Sequence, residues 1–256
     1  MTTDIKVSFS KLSLPESGTL VLFAAEGGVL GREIAALIGK EAHEAIKKAA
    51  EAEDYRGKEK TVLVIPAPHG FEAQRLVLVG IGNEKQRNET RFINLGGVIA
   101  KHVTKGGKVT IVMAGPEDWK FDGRAAADLA LGVQLRSYRF DRYKSRKSDD
   151  DKPSKISLNL KIASHFAEQA RDAYHHAEAL AEGVTLARDL VNEPANVLTP
   201  VAFAKKAAAL SKLGVAIEIL DEKQLEKLGM RALLAVGQGS RQQSHVVIMR
   251  WHGVKG

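Results

Sequence analysis

Cysteine is absent from the sequence, which removes disulfide bonds, thiolate metal ligands and cysteine nucleophiles from consideration. Aromatic residues are scarce as well, at 5% of the 256 residues. The longest early apolar run covers residues 19–25, far short of the roughly 20 residues of a membrane-spanning helix. Residues 1–18 also lack the basic flank and apolar stretch of a signal peptide. We therefore expect a cytoplasmic protein with no membrane partner.

With 256 residues, the chain is long enough for one complete domain and part of another. Its net charge of +7 is spread along the sequence and mixed with acidic residues. The densest basic stretch is 136–155, with cations at Arg136, Arg139, Arg142, Lys144, Arg146, Lys147, Lys152 and Lys155. A solvated hairpin is the favoured interpretation of this stretch, and nucleic-acid binding is the alternative.

Short apolar runs alternate with helical patterns in the first part of the chain, which is typical of βα units and a parallel or mixed sheet. Strands are predicted at 5–9, 20–25, 61–65, 76–79 and 109–113. Helices are predicted at about 33–38, 41–51, 89–105 and 124–135. A hairpin with strands 138–144 and 156–162 around the polar loop 145–153 would complete this α/β domain.

After residue 163, apolar residues recur at alternating spacings of four and three, which predicts one long amphipathic helix. Its apolar stripe comprises Phe166, Ala170, Ala173, Ala177, Leu180, Val184, Ala187 and Val191. Some 26 helical residues span about 39 Å, enough to connect two domains. The helix is expected to end at Asn192 and Glu193, because Pro194 disfavours helical geometry in the residue before it.

A second unit follows this connector. Thr199 is the expected N-cap of a new helix with Pro200 at its first position, running to about residue 213 before Gly214. A strand at 215–220, a short helix at 222–228 and strands at 232–236 and 246–251 come next. This order predicts the opening βαβ unit of a second, incomplete α/β domain, with sheet faces left uncovered.

Two segments, RDLVNEPANVLTPVAFA at 188–204 and GMRALLAVGQGSRQQSHVVIMRWHG at 229–253, resemble the leucyl aminopeptidase, or cytosol aminopeptidase, family. RLVLVGIGN at 75–83 and YRFDRYKS at 138–145 resemble that family's N-terminal domain. The resemblance implies a macro-domain-like N-terminal α/β domain at 1–163, a linker helix at 164–192 and the start of a catalytic domain at 193–256.

The same resemblance implies a hexamer in which two divalent metal ions, zinc or manganese, serve to release N-terminal residues from peptides. In the family, the metal ligands and the catalytic arginine lie in motifs just after the strand that reads 245–251 here. Those motifs have no counterpart before Gly256, so no catalytic, cofactor-binding or metal-binding residue is assigned. We expect the chain alone to be inactive and to serve structural and oligomerisation roles, with peptide substrates requiring the catalytic half.

Other candidate metal ligands do not combine into a site. His175 and His176 are adjacent on the helix and point about 100° apart, so a solvated helix face is favoured. His165 shares a face with His176 but lies about 16 Å away. The carboxylates of 149–151 lie in a lysine-bearing loop with no neighbouring histidine, and a solvated loop tip is favoured over a cation site.

Three glycine- or asparagine-containing segments remain. Gly80, Ile81 and Gly82 follow a predicted strand and are expected to form a strand-exit turn, with a nucleotide or ADP-ribose pocket as the alternative. The turn at 237–240 is expected to be structural, although its place before the last strand leaves a functional role open. Asn192, Pro194 and Asn196 are expected to shape the elbow between domains. The alternative function is therefore a binding module for nucleotides or nucleic acid.

Overall fold

Two apolar runs, TLVLFAA and RLVLVGIG, are buried on both faces, as the inner strands of a parallel sheet require. They lie in the first of two compact units, Met1–Thr185, and the second unit is Leu186–Gly256. The computed structural model describes residues 4–84, 88–103, 107–116, 119, 121–145 and 157–253.

The first unit is a mixed α/β fold, which confirms the fold class predicted from the sequence. Its six-stranded sheet has the order β1-β6-β5-β2-β4-β3 and is parallel except for the antiparallel pairing of β3 with β4. Its elements are β1 (Asp4–Ser10), β2 (Thr19–Ala25), α1 (Arg32–Ile38), α2 (Lys40–Ala52), β3 (Val62–Pro66), β4 (Arg75–Gly82), α3 (Arg91–His102), β5 (Gly107–Val112), α4 (Gly123–Ser137) and β6 (Ser157–Ala163). The helix α5 (Ala167–Asn192) begins in this unit.

The predicted hairpin of 138–144 with 156–162 is wrong. Residues 138–144 form no strand, and β6 lies between β1 and β5, parallel to both. Both edges of β6 are thus occupied by strands from distant parts of the sequence. Residues 146–153 of the predicted polar loop lie outside the described residues.

Helices cover both faces of the six-stranded sheet. One apolar cluster joins inner strand residues such as Phe23 and Ile111 to α3, α4 and the beginning of α5. The other joins the opposite strand residues, such as Leu22 and Leu78, to α1 and α2. Alternate side chains of β2 therefore enter different cores, which explains why this strand lacks a polar face.

Glycine sets the distance between α3 and α4. A Cβ atom on Gly96 would collide with the carbonyl oxygen of Leu129, and one on Gly132 would collide with that of Ile93. A Cβ on Gly123, at the start of α4, would also collide with the backbone of α5 at Gln169 and Ala170. Main chains approach closely here because these positions have no side chain.

The 26-residue length and the end of α5 at Asn192 agree with the sequence prediction. The buried line differs from the predicted stripe, because it follows Ala170, Tyr174, Ala177 and Ala181. Leu180 is 48% exposed and Val191 is 84% exposed. Small alanines permit the close packing of this helix in the first unit, whereas larger aliphatic residues of the predicted stripe stay at the surface.

The second unit begins within α5 and contains α6 (Pro200–Ala208), a 3-10 turn (Ala209–Leu213), β7 (Ala216–Leu220), α7 (Glu222–Lys227), α8 (Arg231–Gly237) and β8 (Val246–Arg250). Thr199 caps α6 as predicted, since its hydroxyl accepts a hydrogen bond from the amide of Ala202. Gly214 adopts a left-handed conformation, φ 90°, and ends the 3-10 turn. Asp221 and Gln224 form a reciprocal capping box on α7.

The predicted parallel βαβ opening of this unit is also wrong. Residues 232–236 lie in helix α8, and β7 pairs with β8 in antiparallel register. The apolar run that suggested a strand has the length of a short helix, and none of its residues is buried. Periodicity alone does not distinguish the two structures in so short a segment.

Candidate functional site

A groove in the second unit lies between the start of α6 and β8. Its cavity of about 390 Å³ is lined by Leu198, Thr199, Pro200, Phe203, His245, Val247 and Met249. The Thr199 cap fixes where α6 begins. Residues 245, 247 and 249 share one face because side chains alternate along an extended chain. We call this feature the α6–β8 groove.

The α6–β8 groove is suited to apolar side chains. The Thr199 hydroxyl already accepts from the amide of Ala202 at 3.2 Å, and His245 Nδ1 lies 3.1 Å from the carbonyl oxygen of Gln243. Phe203 and Met249 are 44% and 54% exposed. The seven lining residues include no carboxylate and no lysine or arginine, so this lining offers binding surface without a general acid–base pair.

In the part of the chain that the structure describes, no three or more His, Asp or Glu residues come together in a group able to hold a metal ion. A dinuclear hydrolase needs several such ligands around two cations. The described residues therefore do not fit a two-metal centre.

Ligands commonly bind at the carboxyl ends of parallel strands. The usual place is between two neighbouring strands whose following chain segments lead to opposite sides of the sheet. In the first unit this point lies between β2 and β5. Gly31, which follows β2, lies against the carbonyl oxygen of Gly115, which follows β5. The Phe121 ring packs on Gly115, with its centroid 6.2 Å from that of Trp119. Gly115 thus lies between Gly31 and the Phe121 ring and contacts both.

The Gly80, Ile81 and Gly82 segment lies inside β4 and is buried, so the predicted strand-exit turn is wrong. The amide of Gly80 donates to the carbonyl of Thr61, and that of Gly82 donates to the carbonyl of Gly57. A Cβ on Gly80 would collide with the Lys58 carbonyl oxygen, so glycine permits close approach of another main-chain segment. These amides already have acceptors, which argues against their use as a phosphate cradle.

Arg91, at the start of α3, is fully buried and was not singled out in the sequence. Its Nη2 donates to the carbonyl oxygens of Ile81 and Asn83, and its guanidinium lies over the ring of Trp119. The arginine therefore joins the end of β4 to α3. The helix macrodipole favours acidic residues at the beginning of a helix. An arginine at that position therefore did not predict this role from the sequence.

The histidines of α5 lie where a solvated face would place them. His175 and His176 are both exposed. His165 is also exposed and its Nε2 contacts a carboxylate oxygen of Glu33. The carboxylates of residues 149–151 lie outside the described residues.

The two remaining candidate segments have local structural contacts. Gly237 ends α8, and its carbonyl accepts from the amide of Ser240, so this segment is a turn. The side chain of Asn192 donates to the carbonyl of Arg188, and the carbonyl of Pro194 accepts from Val197 and Leu198. Asn196 is exposed. These contacts shape the path from α5 to α6 without bringing the three residues into a site.

The described half of the basic stretch, 136–145, is partly neutralised by its own acid. Lys144 pairs with Asp141, and a hydrogen bond from this lysine holds the pKa of Asp141 below its usual value. Arg142 lies over the ring of Phe140, 5.5 Å from its centroid.

Among the helices of the described ranges, none is long and apolar enough to cross a membrane.

Comparison with known proteins gives two consecutive family matches. Residues 21–147 match the model of the cytosol aminopeptidase family, N-terminal domain, and residues 185–256 match that of the same family's catalytic domain. A protein of Methylorubrum populi described as "Probable cytosol aminopeptidase" is 43% identical over 254 residues, covering 99% of this chain and 50% of that protein. A protein of Sinorhizobium medicae with the same description is 41% identical, covering 100% of this chain and 51% of its own length.

Solved structures show the same fold. A mutant of tomato leucine aminopeptidase superposes with a TM-score of 0.78 at 22% identity, covering 97% of this chain and 51% of that chain. The bottromycin maturation enzyme BotP, in complex with Mn, gives 0.70 at 23% identity, covering 90% and 44%. The chain thus spans about half the length of the curated relatives it matches.

Proposed function

Because this chain belongs to the cytosol aminopeptidase family, we propose that it supplies the N-terminal domain and the first part of the catalytic domain of a leucyl aminopeptidase. The observation that carries this proposal is the order of the two family matches along one chain. The whole protein would release N-terminal residues from peptides in the cytoplasm, and the curated relatives' description as cytosol aminopeptidases supports both points.

The proposed chemistry uses two divalent cations, zinc or manganese, to activate water and polarise the scissile carbonyl. Since the described residues hold no group of metal ligands, we place both cations and the catalytic arginine on the half of the relatives that this chain does not span. The chain's own role is then structural: it supports the catalytic half and contributes to subunit packing in a hexamer.

The proposed domain layout has an N-terminal domain at 1–163, a linker helix at 164–192 and the catalytic-domain start at 193–256. The family matches at 21–147 and 185–256 support this layout, as does the continuous α5. The alternative binding-module function is less well supported, because the amides of Gly80 and Gly82 already donate to main-chain carbonyls.

The test is an activity assay of the 256-residue protein with leucyl p-nitroanilide, in the presence of manganese or zinc. We expect no metal-dependent release of p-nitroaniline above a blank without protein. The full-length Methylorubrum populi relative, purified in parallel, is the positive control. Manganese-stimulated turnover by this chain alone, comparable with that of the control, would overturn the proposal that the chain lacks the catalytic centre.

A further inference from the structure

The first half of α5 is held firmly by the first unit. Its buried residues belong to the apolar cluster that includes α3 and α4, and they are Ala170, Tyr174, Ala177 and Ala181. The Tyr174 hydroxyl accepts a 2.8 Å hydrogen bond from Gln134, and its ring centroid lies 5.4 Å from that of Phe9. Side-chain packing therefore stabilises this helix up to about residue 181.

The second half of α5 has much less support. The structure describes all of residues 182–192, and none of them is buried. A Cβ on Gly183 would meet no atom of another described segment within 4 Å, so close packing does not require glycine there. Glycine inside a helix is destabilising relative to alanine. The β-branched residues Val184 and Thr185 come next and lower the helix propensity further.

The boundary between the two compact units falls at the same place in the chain. It lies between Thr185 and Leu186, two residues after Gly183, although α5 continues without a break to Asn192. A helical segment with no buried residue depends mainly on its own backbone hydrogen bonds, and such segments open at a lower free energy than packed ones. The weakest part of α5 therefore coincides with the junction of the units.

We propose that residues 182–187 of α5 form a hinge, where the helix opens transiently and the two units change orientation while each stays folded. Opening of this segment breaks a few main-chain hydrogen bonds and exposes no residue of either apolar cluster of the first unit. Hinges absorb large backbone rotations at a few residues, on microsecond to millisecond timescales. This inference does not rest on the proposed function, because it concerns the 256-residue chain alone.

Amide hydrogen exchange tests whether the segment opens. In the parent protein, amides of 182–187 should exchange faster than those of 170–181. Gly183→Ala should slow exchange in 182–187 by about fivefold, because alanine has the higher helix propensity. Gly97→Ala makes the same chemical change on α3 of the first unit and should leave exchange of 182–187 unaltered.

Electron–electron spin resonance distances test whether the opening reorients the units. The sequence has no cysteine, so spin labels attach only at two introduced ones. Lys108→Cys in the first unit and Lys227→Cys in the second both replace exposed residues. The distance distribution between these labels should be broad in the parent background and clearly narrower when Gly183→Ala is added.

A glycine-transfer variant, Ala179→Gly with Gly183→Ala, separates the position of the glycine from its effect on overall helix propensity. Its composition equals that of the parent, but the glycine moves to an exposed site between the buried residues Ala177 and Ala181. Packing against the first unit should hold the helix there, so we expect the narrow distance distribution. Circular dichroism should show that each variant keeps the parent's helical content.

Three results would overturn the hinge proposal. One is exchange of 182–187 in the parent as slow as that of 170–181, a comparison that needs no variant to fold. Another is a distance distribution that Gly183→Ala leaves unchanged. The third is a broad distribution in the glycine-transfer variant, which would make the width independent of where the glycine lies. These readouts involve no peptide hydrolysis and are thus distinct from the assay of the proposed function.

Discussion

The guanidinium carbon of Arg91 lies 4.1 Å from the centre of the Trp119 ring. From this position Nη2 donates to the carbonyl oxygen of Asn83 at 3.0 Å and to that of Ile81. Because Arg91 is fully buried, ring electrons and carbonyl dipoles replace water around part of its charge. One side chain thus joins β4, α3 and the ring of Trp119.

Arg91→Met should therefore destabilise the protein. The change keeps a long apolar side chain but leaves two carbonyl oxygens without this donor, so the free energy of unfolding should fall by about 2–4 kcal/mol. Urea denaturation followed by far-UV circular dichroism measures it. Arg124→Met is the control, because Arg124 is 72% exposed and its ion pair with Asp128 is worth less than about 1 kcal/mol. Equal losses in the two variants would contradict the structural role of Arg91.

Gly132→Ala should cost about 2–3 kcal/mol, because its new methyl group meets the carbonyl oxygen of Ile93 and separates α3 from α4. Gly97→Ala, on the neighbouring α3, is the matched substitution. Its Cβ would lie 3.9 Å from the Cβ of Arg136, so it should raise stability by up to about 1 kcal/mol through helix propensity. The melting temperatures of the two variants should shift in opposite directions. Two downward shifts of similar size would refute the close contact between Gly132 and the Ile93 carbonyl.

Tyr174 predicts an alkaline limit to stability. Burial, with a contribution from Glu178, raises the pKa of Tyr174 to about 12 from an ordinary value of 10.0. The folded state therefore holds the phenol proton more tightly than the unfolded state does. Its contribution is complete below pH 10 and is lost as the pH rises toward 12, with a slope of up to about 1.4 kcal/mol per pH unit.

Tyr174→Phe should reduce this alkaline slope, although it also removes the 2.8 Å hydrogen bond that Gln134 donates to the hydroxyl. Urea midpoints at pH 8, 10 and 11 are compared for the two proteins. The variant should be less stable at pH 8, and the difference should narrow at pH 11. A difference that stays constant across this range would show that Tyr174 does not titrate as expected.

Asp221→Ala should loosen α7 by removing one half of its capping box, in which the Asp221 carboxylate accepts from the amide of Gln224 at 2.9 Å. A loss of about 1 kcal/mol corresponds to roughly fivefold faster amide exchange in that helix. Asp221→Ser keeps a capping oxygen and should restore most of the protection. Equal exchange in the alanine and serine variants would show that the cap does not stabilise α7.

Local signals predicted much of this fold correctly. Thr199, Pro200 and Gly214 identified the limits of the helical segment that follows α5, because capping depends on neighbouring residues. Pro194 likewise identified where α5 ends. The inner strands β2 and β4 were recognisable because strands buried on both faces are uniformly apolar.

Pairing between distant segments was not predictable from such signals. The pattern at 156–162 predicted one arm of a hairpin, yet the strand formed there, β6, pairs with β1 and β5. Residues 232–236 read as a strand and form a helix, since a short apolar run has no decisive period. The groove at Phe203 and Met249 needed the structure, because its lining comes from segments more than 40 positions apart.

The pairing of β1 with β6 has a consequence for biosynthesis. The hydroxyl of Ser8 donates to the carbonyl of Leu160 across 152 positions, and among the described strands of the sheet β1 pairs with β6 alone. On a ribosome, the amino-terminal strand must therefore wait until nearly all of the first unit has been translated before its partner emerges. Such long-range closure slows folding and leaves the edge of β1 unpaired in the interval.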